Sequence, residues 1–213
     1  MNAVLDNDIV HKGVSYRLLP AITNSYENPR NVGVLGAARY VIRAKIRKGK
    51  YRRGVNEVLK DFERMTADLA VLEPTPTEKA MAAALELLAQ NRGVNLDVGE
   101  SQLCAIAIER LIPFLVTGDK RAIIALEILH NLEPKLQRMR GKLVCLEQLV
   151  VDLLNSETKE MIREAICGEP ETDKSLTICF ACASSEASLE NISGGLHSYI
   201  DDLRTRAINV LRE

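Results

Sequence analysis

The stretch Phe114-Leu115-Val116-Thr117-Gly118-Asp119-Lys120-Arg121 is a short apolar run that changes into a helix-like pattern at an acidic residue. The same change occurs at Asp6, after Ala3-Val4-Leu5, and at Glu100, within Leu96-Asp97-Val98-Gly99-Glu100. Open α/β sheets bind ligands outside the carboxyl ends of their strands, so acids carried there by separate segments can converge. Converging carboxylates are the ligands that hard divalent cations require.

Apolar runs and helical patterns alternate along most of the chain. Strands are predicted at residues 3–5, 68–72, 113–117 and 142–146, and helices at 8–22, 34–48, 54–66, 78–91, 100–111 and 120–129. This alternation indicates an α/β fold with a mostly parallel sheet that helices cover. We expect one such domain at residues 1–154. The remaining residues, 155–213, are expected to form an α-helical extension with helices at 175–188 and 196–211.

The composition limits the classes of function. Of the 213 residues, 46% are hydrophobic, which is enough for a sizeable core, but only 4% are aromatic and Trp is absent. Broad base-stacking platforms are therefore not expected. No apolar stretch approaches the roughly 20 residues of a membrane span, and the N-terminus lacks an export-type pattern. These features predict a cytoplasmic protein that does not enter membranes.

The five cysteines are odd in number and lie partly within apolar runs, so buried free thiols are expected. They are Cys104, Cys145, Cys167, Cys179 and Cys182. Cys167, Cys179 and Cys182 with His197 could be assembled into a zinc site, but a single CxxC in an apolar run is more typical of a buried helix face. Dinucleotide, P-loop, zincin and α/β-hydrolase motifs are absent.

Several segments, taken in order, resemble the PIN-domain family. Leu5-Asp6-Asn7-Asp8-Ile9 is similar to the family's opening strand and first acid. Residues 96–107 and then Leu115-Val116-Thr117-Gly118-Asp119 resemble its acidic helix start and the strand that ends in Thr-x-Asp. Residues 72–78 are similar to the segment before the central helices, and residues 142–146 to the closing strand. The resemblance covers residues 1–154 and implies a PIN-like three-layer sandwich with a central, mostly parallel sheet.

The resemblance implies a metal-dependent endoribonuclease, a hydrolase of phosphodiester bonds that uses Mg²⁺ or Mn²⁺. Carried over by position, Asp6, Glu100 and Asp119 would be the catalytic acids and metal ligands, with Asp97 a fourth ligand and Thr117 a polar support. A metal between such carboxylates and a phosphate oxygen activates water and offsets the charge of the transition state. RNA is the expected substrate, and single-stranded DNA is the alternative.

The chain departs from the family pattern at one position. Many PIN nucleases carry another acid in the region that corresponds to residues 33–41, where this sequence has none and where Arg39 lies instead. Either Glu57, Asp61 or Glu63 replaces that acid, or the cluster is weaker. A weaker cluster would leave a PIN-like module that binds nucleic acid or protein with little catalysis, and this is the alternative function.

Each acid also has a simpler explanation as a helix cap. Asp6 and Asp119 precede helices, and Asp97 with Glu100 resembles a capping box. Taken singly, each acid is better explained as a cap. Their order and their positions at strand ends favour a shared site, and the two roles can coexist.

A strongly basic region lies within residues 37–64, and the tail from residue 151 is acidic. Lys and Arg that neutralise phosphates give affinity that does not depend on sequence. The predicted nucleic-acid-binding residues are Arg39, Arg43, Arg47, Lys48, Arg52 and Arg53. A solvated helix face is the equally weighted alternative. The helical tail could cover a sheet edge, form a homodimer or receive a protein partner such as an inhibitory antitoxin, since toxin–antitoxin pairs are one setting of this family.

Overall fold

A computed structural model describes residues 1–213. Its centre is a sheet of five short strands, all parallel, in the order β3-β2-β1-β4-β5. The strands are β1 (Ala3–Leu5), β2 (Val32–Leu35), β3 (Ala70–Leu72), β4 (Phe114–Thr117) and β5 (Leu143–Cys145).

Eleven α-helices connect and follow the strands. Those before β4 are α1 (Asn7–Ser15), α2 (Leu19–Asn24), α3 (Ala38–Lys48), α4 (Val55–Met65), α5 (Pro76–Asn91) and α6 (Val98–Glu109). Those after it are α7 (Lys120–His130), α8 (Leu146–Ser156), α9 (Lys159–Gly168), α10 (Lys174–Cys179) and α11 (Leu189–Arg206). Short 3₁₀ turns occupy Pro29–Asn31 and Pro134–Met139.

Two apolar cores lie on opposite faces of the sheet, because side chains of a strand alternate between faces. Leu5 and Val116 enter one core with α1–α4 and α8–α10, whereas Val4 and Leu115 enter the other with α5–α7. Helix α11 contributes to both cores, through Ile192 to the first and Leu203 to the second. The expected α/β class is thus confirmed, with helices on both faces of the parallel sheet.

Strand β2 was not predicted, since the expected helix began at Val34. Residues 32–35 are instead a buried strand between β1 and β3, and the helix begins at Ala38. Val32, Val34 and Leu35 form a short apolar run, and periodicity cannot assign such a run to a helix or a strand. The position of these residues inside the sheet determines that they form a strand, because central strands need apolar side chains on both faces.

Two predicted helices are also shorter than expected. The helix predicted at 8–22 is broken at Arg17, whose φ of 58° is left-handed, and Pro20 lies in the first turn of the new helix, where its missing N–H is tolerated. The helix predicted at 175–188 ends at Cys179. The last helix begins at Leu189 and ends at Arg206, earlier than the predicted 196–211.

The C-terminal residues close one edge of the sheet. Leu211 forms a parallel bridge with Leu143, and the N–H of Leu143 donates to the Val210 carbonyl at 2.9 Å. Glu127 of α7 holds this segment, since its carboxylate accepts the backbone N–H groups of Asn209 at 2.9 Å and Val210 at 3.0 Å. Covering a strand edge removes a site for unwanted pairing. The chain has no helix whose length and apolar character would suit a membrane span.

The expectation of five free thiols is wrong for two cysteines. Cys167 and Cys182 form a disulfide that joins α9 to the segment after α10, whereas Cys104, Cys145 and Cys179 are buried and free. The two bonded residues are 15 apart in sequence but their Cα atoms are only 5.1 Å apart in the fold. Their sulfurs are therefore not available as thiolate ligands, so the zinc set of Cys167, Cys179, Cys182 and His197 is not formed.

Candidate functional site: a carboxylate cluster at the switch point of the sheet

The centre of the sheet contains a topological switch point. From β1 the chain proceeds to β2 and β3 on one side, whereas β4 and β5 lie on the other side of β1. The connections therefore diverge at the carboxyl ends of β1 and β4, which is where open α/β sheets bind ligands. Asp6 directly follows β1, and Asp119 lies two residues after β4. Because Leu5 pairs with Val116 in the parallel register, both acids are brought to the same end of neighbouring strands.

Asp6 is a buried carboxylate that also caps α1. Its Oδ1 accepts the N–H of Asn7 at 2.7 Å, and its Oδ2 lies 3.5 Å from the N–H of Asp8. The Thr117 hydroxyl donates to Oδ2 at the long distance of 3.5 Å. Burial raises the pKa of Asp6 to about 6, and the neighbouring charges of Asp8 and Asp97 add to this effect, which the capping N–H groups oppose.

Glu100 is held by a reciprocal capping box at the start of α6. The N–H of Glu100 donates to Asp97 Oδ1 at 2.9 Å, and the N–H of Asp97 donates to Glu100 Oε2 at 3.0 Å. Because α6 runs back toward the start of β4, its N-terminus lies at the carboxyl edge of the sheet. Burial raises the pKa of Glu100 to about 8, with further contributions from the charges of Asp97, Asp119 and Asp6.

Asp119 caps α7 and forms an ion pair within its own helix start. Its Oδ1 accepts the N–H of Arg121 at 2.8 Å, and its Oδ2 contacts Arg121 Nη2 at 2.7 Å. The N–H of Asp119 donates to the Thr117 hydroxyl at 3.1 Å, so Thr117 connects the Asp6 and Asp119 positions. Partial burial opposes ionisation of Asp119, but its bonds to Arg121 outweigh burial and lower its pKa.

The donor chemistry of this carboxylate cluster, defined as Asp6, Asp97, Glu100 and Asp119, suits Mg²⁺ or Mn²⁺, because all its ligand atoms are hard oxygens. Two of its members, Asp6 and Glu100, have raised pKa values, and a bound cation would lower both values. No three His, Cys, Asp or Glu side chains lie close enough to coordinate a single ion in this structure. Mg²⁺ commonly binds through one or two carboxylates and several waters, so the cluster still fits such an ion.

A second set of charges next to Asp6 was missed by the sequence analysis. Asp8 forms ion pairs with Lys12 at 2.6 Å and with Lys45 at 2.7 Å, and these lysines outweigh burial and lower the pKa of Asp8. Gly118 packs against this group, since a Cβ there would overlap the Asp8 carboxylate. Asp8 is thus neutralised, which explains why the acid two residues after Asp6 does not add to the cluster.

Glu147 is a further acid at the carboxyl edge, following β5, and it too was missed. Its Oε1 pairs with Lys120 Nζ at 2.6 Å, and Lys120 lies 4.2 Å from the ring centroid of Tyr199 on α11. Glu147 is only 2% exposed, and its Oε2 has no hydrogen-bond partner. The position two residues after an apolar strand was the only indication in the sequence. Through Lys120, which contacts both Glu147 and Tyr199, helix α11 is held against the sheet edge at which the cluster lies.

The three acids considered as replacements for the absent family acid are paired with arginines. Glu57 contacts Arg17 at 2.6 Å, and Asp61 is shared by Arg17, Arg53 and Arg64. Glu63 contacts Arg43 and, at 3.8 Å, Arg39. All three acids lie on α4, where arginines neutralise their charges, and they do not join the carboxylate cluster.

The structure separates the predicted nucleic-acid-binding residues into two groups. Arg53 is largely buried, bound to Asp61 at 2.9 Å and to the carbonyl of Val14, so its role is structural. Arg52 donates to the Cys167 carbonyl at 3.2 Å. Arg47 and Lys48 are exposed at the end of α3 and form no ion pair, and Arg39 and Arg43 share Glu63. Arg47 and Lys48 are thus the most available cations of the set.

Comparisons of the chain with protein-family models, with curated proteins and with solved structures gave no match. The class that the fold and the site define is a parallel α/β protein with a carboxylate cluster at its switch point.

Proposed function

We propose that the protein is a PIN-like, metal-dependent endoribonuclease that hydrolyses phosphodiester bonds at the carboxylate cluster. The observation that carries this proposal is the meeting of Asp6 and Asp119 at the carboxyl ends of the two strands that flank the switch point. Glu100, whose pKa responds to both charges, supports a shared site. The sequence resemblance supplies the reaction and the RNA substrate, with single-stranded DNA as the alternative.

Within this proposal, Asp6, Glu100 and Asp119 would hold Mg²⁺ or Mn²⁺, in part through bound waters, and Asp97 orients Glu100 through the capping box. The bound ion would act as a Lewis acid toward phosphate and lower the pKa of water. Because the raised pKa of Glu100 favours its protonated form, binding of a cation by Glu100 would release a proton. The Thr117 hydroxyl helps to fix the positions of Asp6 and Asp119.

The exposed cations of α3 would bind the nucleic-acid backbone outside the catalytic edge, because phosphate contacts position the substrate without reading its sequence. A cytoplasmic location and a toxin–antitoxin setting, with a homodimer or an inhibitory protein at the helical tail, belong to the same proposal. The Cys167–Cys182 disulfide opposes the cytoplasmic part of this proposal, because cytosolic proteins rarely keep such bonds, and an oxidising compartment is therefore the alternative location.

A second candidate is a PIN-like binding module with little catalysis. It is favoured by one observation, namely that no three ligand side chains converge on a single point. The ion pair between Arg121 and Asp119 also favours this candidate, because it neutralises one of the acids. Such a module would bind RNA through Arg47, Lys48 and their neighbours without cleaving it.

The test is cleavage of a mixed panel of structured and single-stranded RNA and DNA with Mn²⁺ or Mg²⁺. Asp6→Asn and Asp119→Asn remove charge but keep an amide oxygen that can cap a helix. Asp68→Asn is the matched control, because Asp68 is exposed before β3 and has no ion pair. Cleavage by the wild type and the control, lost in either site variant, would support the nuclease. No cleavage by a folded wild type that still binds RNA would support the module.

A further inference from the structure

Arg121 occupies both oxygens of a predicted metal ligand. Its Nη2 lies 2.7 Å from Asp119 Oδ2, and its Nε lies 3.2 Å from Oδ1. No other Lys or Arg forms an ion pair with Asp6, Asp97, Glu100 or Asp119. The hydrogen bonds and the charge of Asp119 raise the pKa of Arg121, and Glu100 and Asp97 add smaller effects, so the guanidinium is within electrostatic reach of three cluster members. Arg121 is thus the one basic side chain that is ion-paired with the cluster.

The Arg121 side chain is free to leave this position. It is 75% exposed, and Asp119 is its sole hydrogen-bond partner. The other cations at this edge are fixed more firmly. Lys120 is bound to Glu147 and packs on Tyr199, and Lys12 is shared by Asp8 and Asp173. Lys45 pairs with Asp8 and is 48% exposed, less than Arg121. Arg121 is therefore the cation that can move with the least loss of packing.

The chemistry of Arg121 suits a phosphate group. A guanidinium presents parallel N–H donors that match two phosphate oxygens as they match the two oxygens of Asp119. A divalent cation at Asp119 would compete for the same oxygens and repel the guanidinium. The released side chain would still lie beside the site, because Arg121 belongs to the first turn of α7, directly after the cap.

We propose that Arg121 is a substrate-positioning residue that exchanges Asp119 for a phosphate of the nucleic-acid backbone when a divalent cation binds the cluster. This inference rests on the proposed function. Arg121 holds Asp119 when no metal is bound, and it adds a bidentate phosphate contact next to the cluster when metal and nucleic acid are both present.

The experiment uses two probes, Mn²⁺ alone and a mixed-sequence 2′-O-methyl oligoribonucleotide, which lacks the 2′-hydroxyl groups of RNA. We expect Arg121→Gln to bind Mn²⁺ about tenfold more tightly, because the competing cation is removed. With Mn²⁺ present, the same variant should bind the oligonucleotide about tenfold more weakly, and its salt dependence should decrease by about 0.7, the value for one phosphate of a single strand.

Two further variants separate this role from a structural one. Arg121→Lys keeps the positive charge but lacks the parallel N–H donors of the guanidinium. It should therefore restore part of the oligonucleotide affinity that Arg121→Gln loses. Arg206→Gln is the matched control, since Arg206 is 49% exposed and pairs with Asp202 within α11, outside the basic region of residues 37–64. It should leave both affinities unchanged.

The outcomes distinguish this inference from the proposed function. If the wild type binds Mn²⁺ and Arg121→Gln changes neither affinity, the role of Arg121 is overturned while the nuclease proposal stands. If neither protein binds Mn²⁺, the metal-dependent function fails and the inference fails with it. Equal oligonucleotide binding by Arg121→Gln and the wild type would overturn the phosphate contact.

Discussion

Glu100 and Asp97 cap the first turn of α6 reciprocally, each backbone N–H donating to the carboxylate of the other residue. The same two residues belong to the carboxylate cluster, so capping and cation binding are not exclusive roles. Burial and the neighbouring acids raise the pKa of Glu100 to about 8, well above its ordinary value of 4.5. The cap therefore holds a carboxyl group that resists ionisation.

The Glu100 pKa predicts a specific pH dependence of stability. Between about pH 4.5 and pH 8 the folded chain retains a proton that the unfolded chain releases, so this group lowers the free energy of unfolding as the pH rises. Glu100→Gln has no such proton and keeps an acceptor for the Asp97 N–H. We expect the variant to be several kcal/mol more stable than the wild type at pH 8.5, with about 5 kcal/mol as the upper bound that the full pKa difference gives, and nearly equal to it near pH 4.5. Urea denaturation at several pH values measures this. If the free energy of unfolding changed with pH in the same way for both proteins, the result would contradict the prediction.

Thr117 gives a test of the connection between Asp6 and Asp119. Its hydroxyl is buried between Asp6 Oδ2 and the N–H of Asp119. Thr117→Val removes the hydroxyl at almost constant volume and should weaken Mn²⁺ binding about tenfold, the usual effect of losing a group that orients a ligand. Thr117→Ser keeps the hydroxyl and should bind Mn²⁺ nearly as the wild type does. Titration calorimetry compares them, and equal affinities for all three proteins would exclude this role.

The exposed end of α3 is expected to bind nucleic acid. Arg47→Glu with Lys48→Glu should reduce the affinity for single-stranded RNA at least tenfold and reduce its salt dependence by about 1.4, the value for two phosphates. Lys79→Glu with Arg92→Glu makes the same charge change on α5 and directly after it, where both residues are exposed and unpaired. Fluorescence anisotropy over a salt series measures the effect. Equal losses in both double variants would indicate a response to net charge alone.

Glu127 is expected to hold the C-terminal segment on the sheet edge. Its carboxylate accepts two backbone N–H groups and the Asn209 side chain at 2.6 Å. Glu127→Ala should lower the free energy of unfolding by about 3 kcal/mol, because buried N–H donors lose a charged acceptor. Asp202→Ala is the control, since Asp202 is exposed and contacts only Arg206 within α11. Hydrogen exchange at residues 209–212 should accelerate in the Glu127 variant alone, and unchanged exchange would contradict the anchoring role.

The sequence predicted the parts of the fold that depend on local patterns. Amphipathic helices such as Val55–Met65 and Pro76–Asn91, and the strands around residues 70–72 and 114–117, lie within a few residues of their predicted positions. The caps at Asp6, Asp97 and Asp119 were also predicted, because a cap requires only one side chain and the next turn of the chain. These features are set by residues close together in the sequence.

The tertiary structure alone decided the features that join distant residues. Residues 32–35 became a strand because two neighbouring strands flank them, and Cys167 reached Cys182 because α9 and α10 fold together. The pairing of Arg121 with Asp119, in contrast, joins residues two apart at a helix start, and it was not predicted from the sequence. The partners of Lys120, Glu147 and Arg53 depend on packing between layers. Local sequence thus determined which elements form and which acids stand at their ends, whereas long-range packing determined which charges are neutralised and which remain exposed, since charge partners are fixed by distance in space.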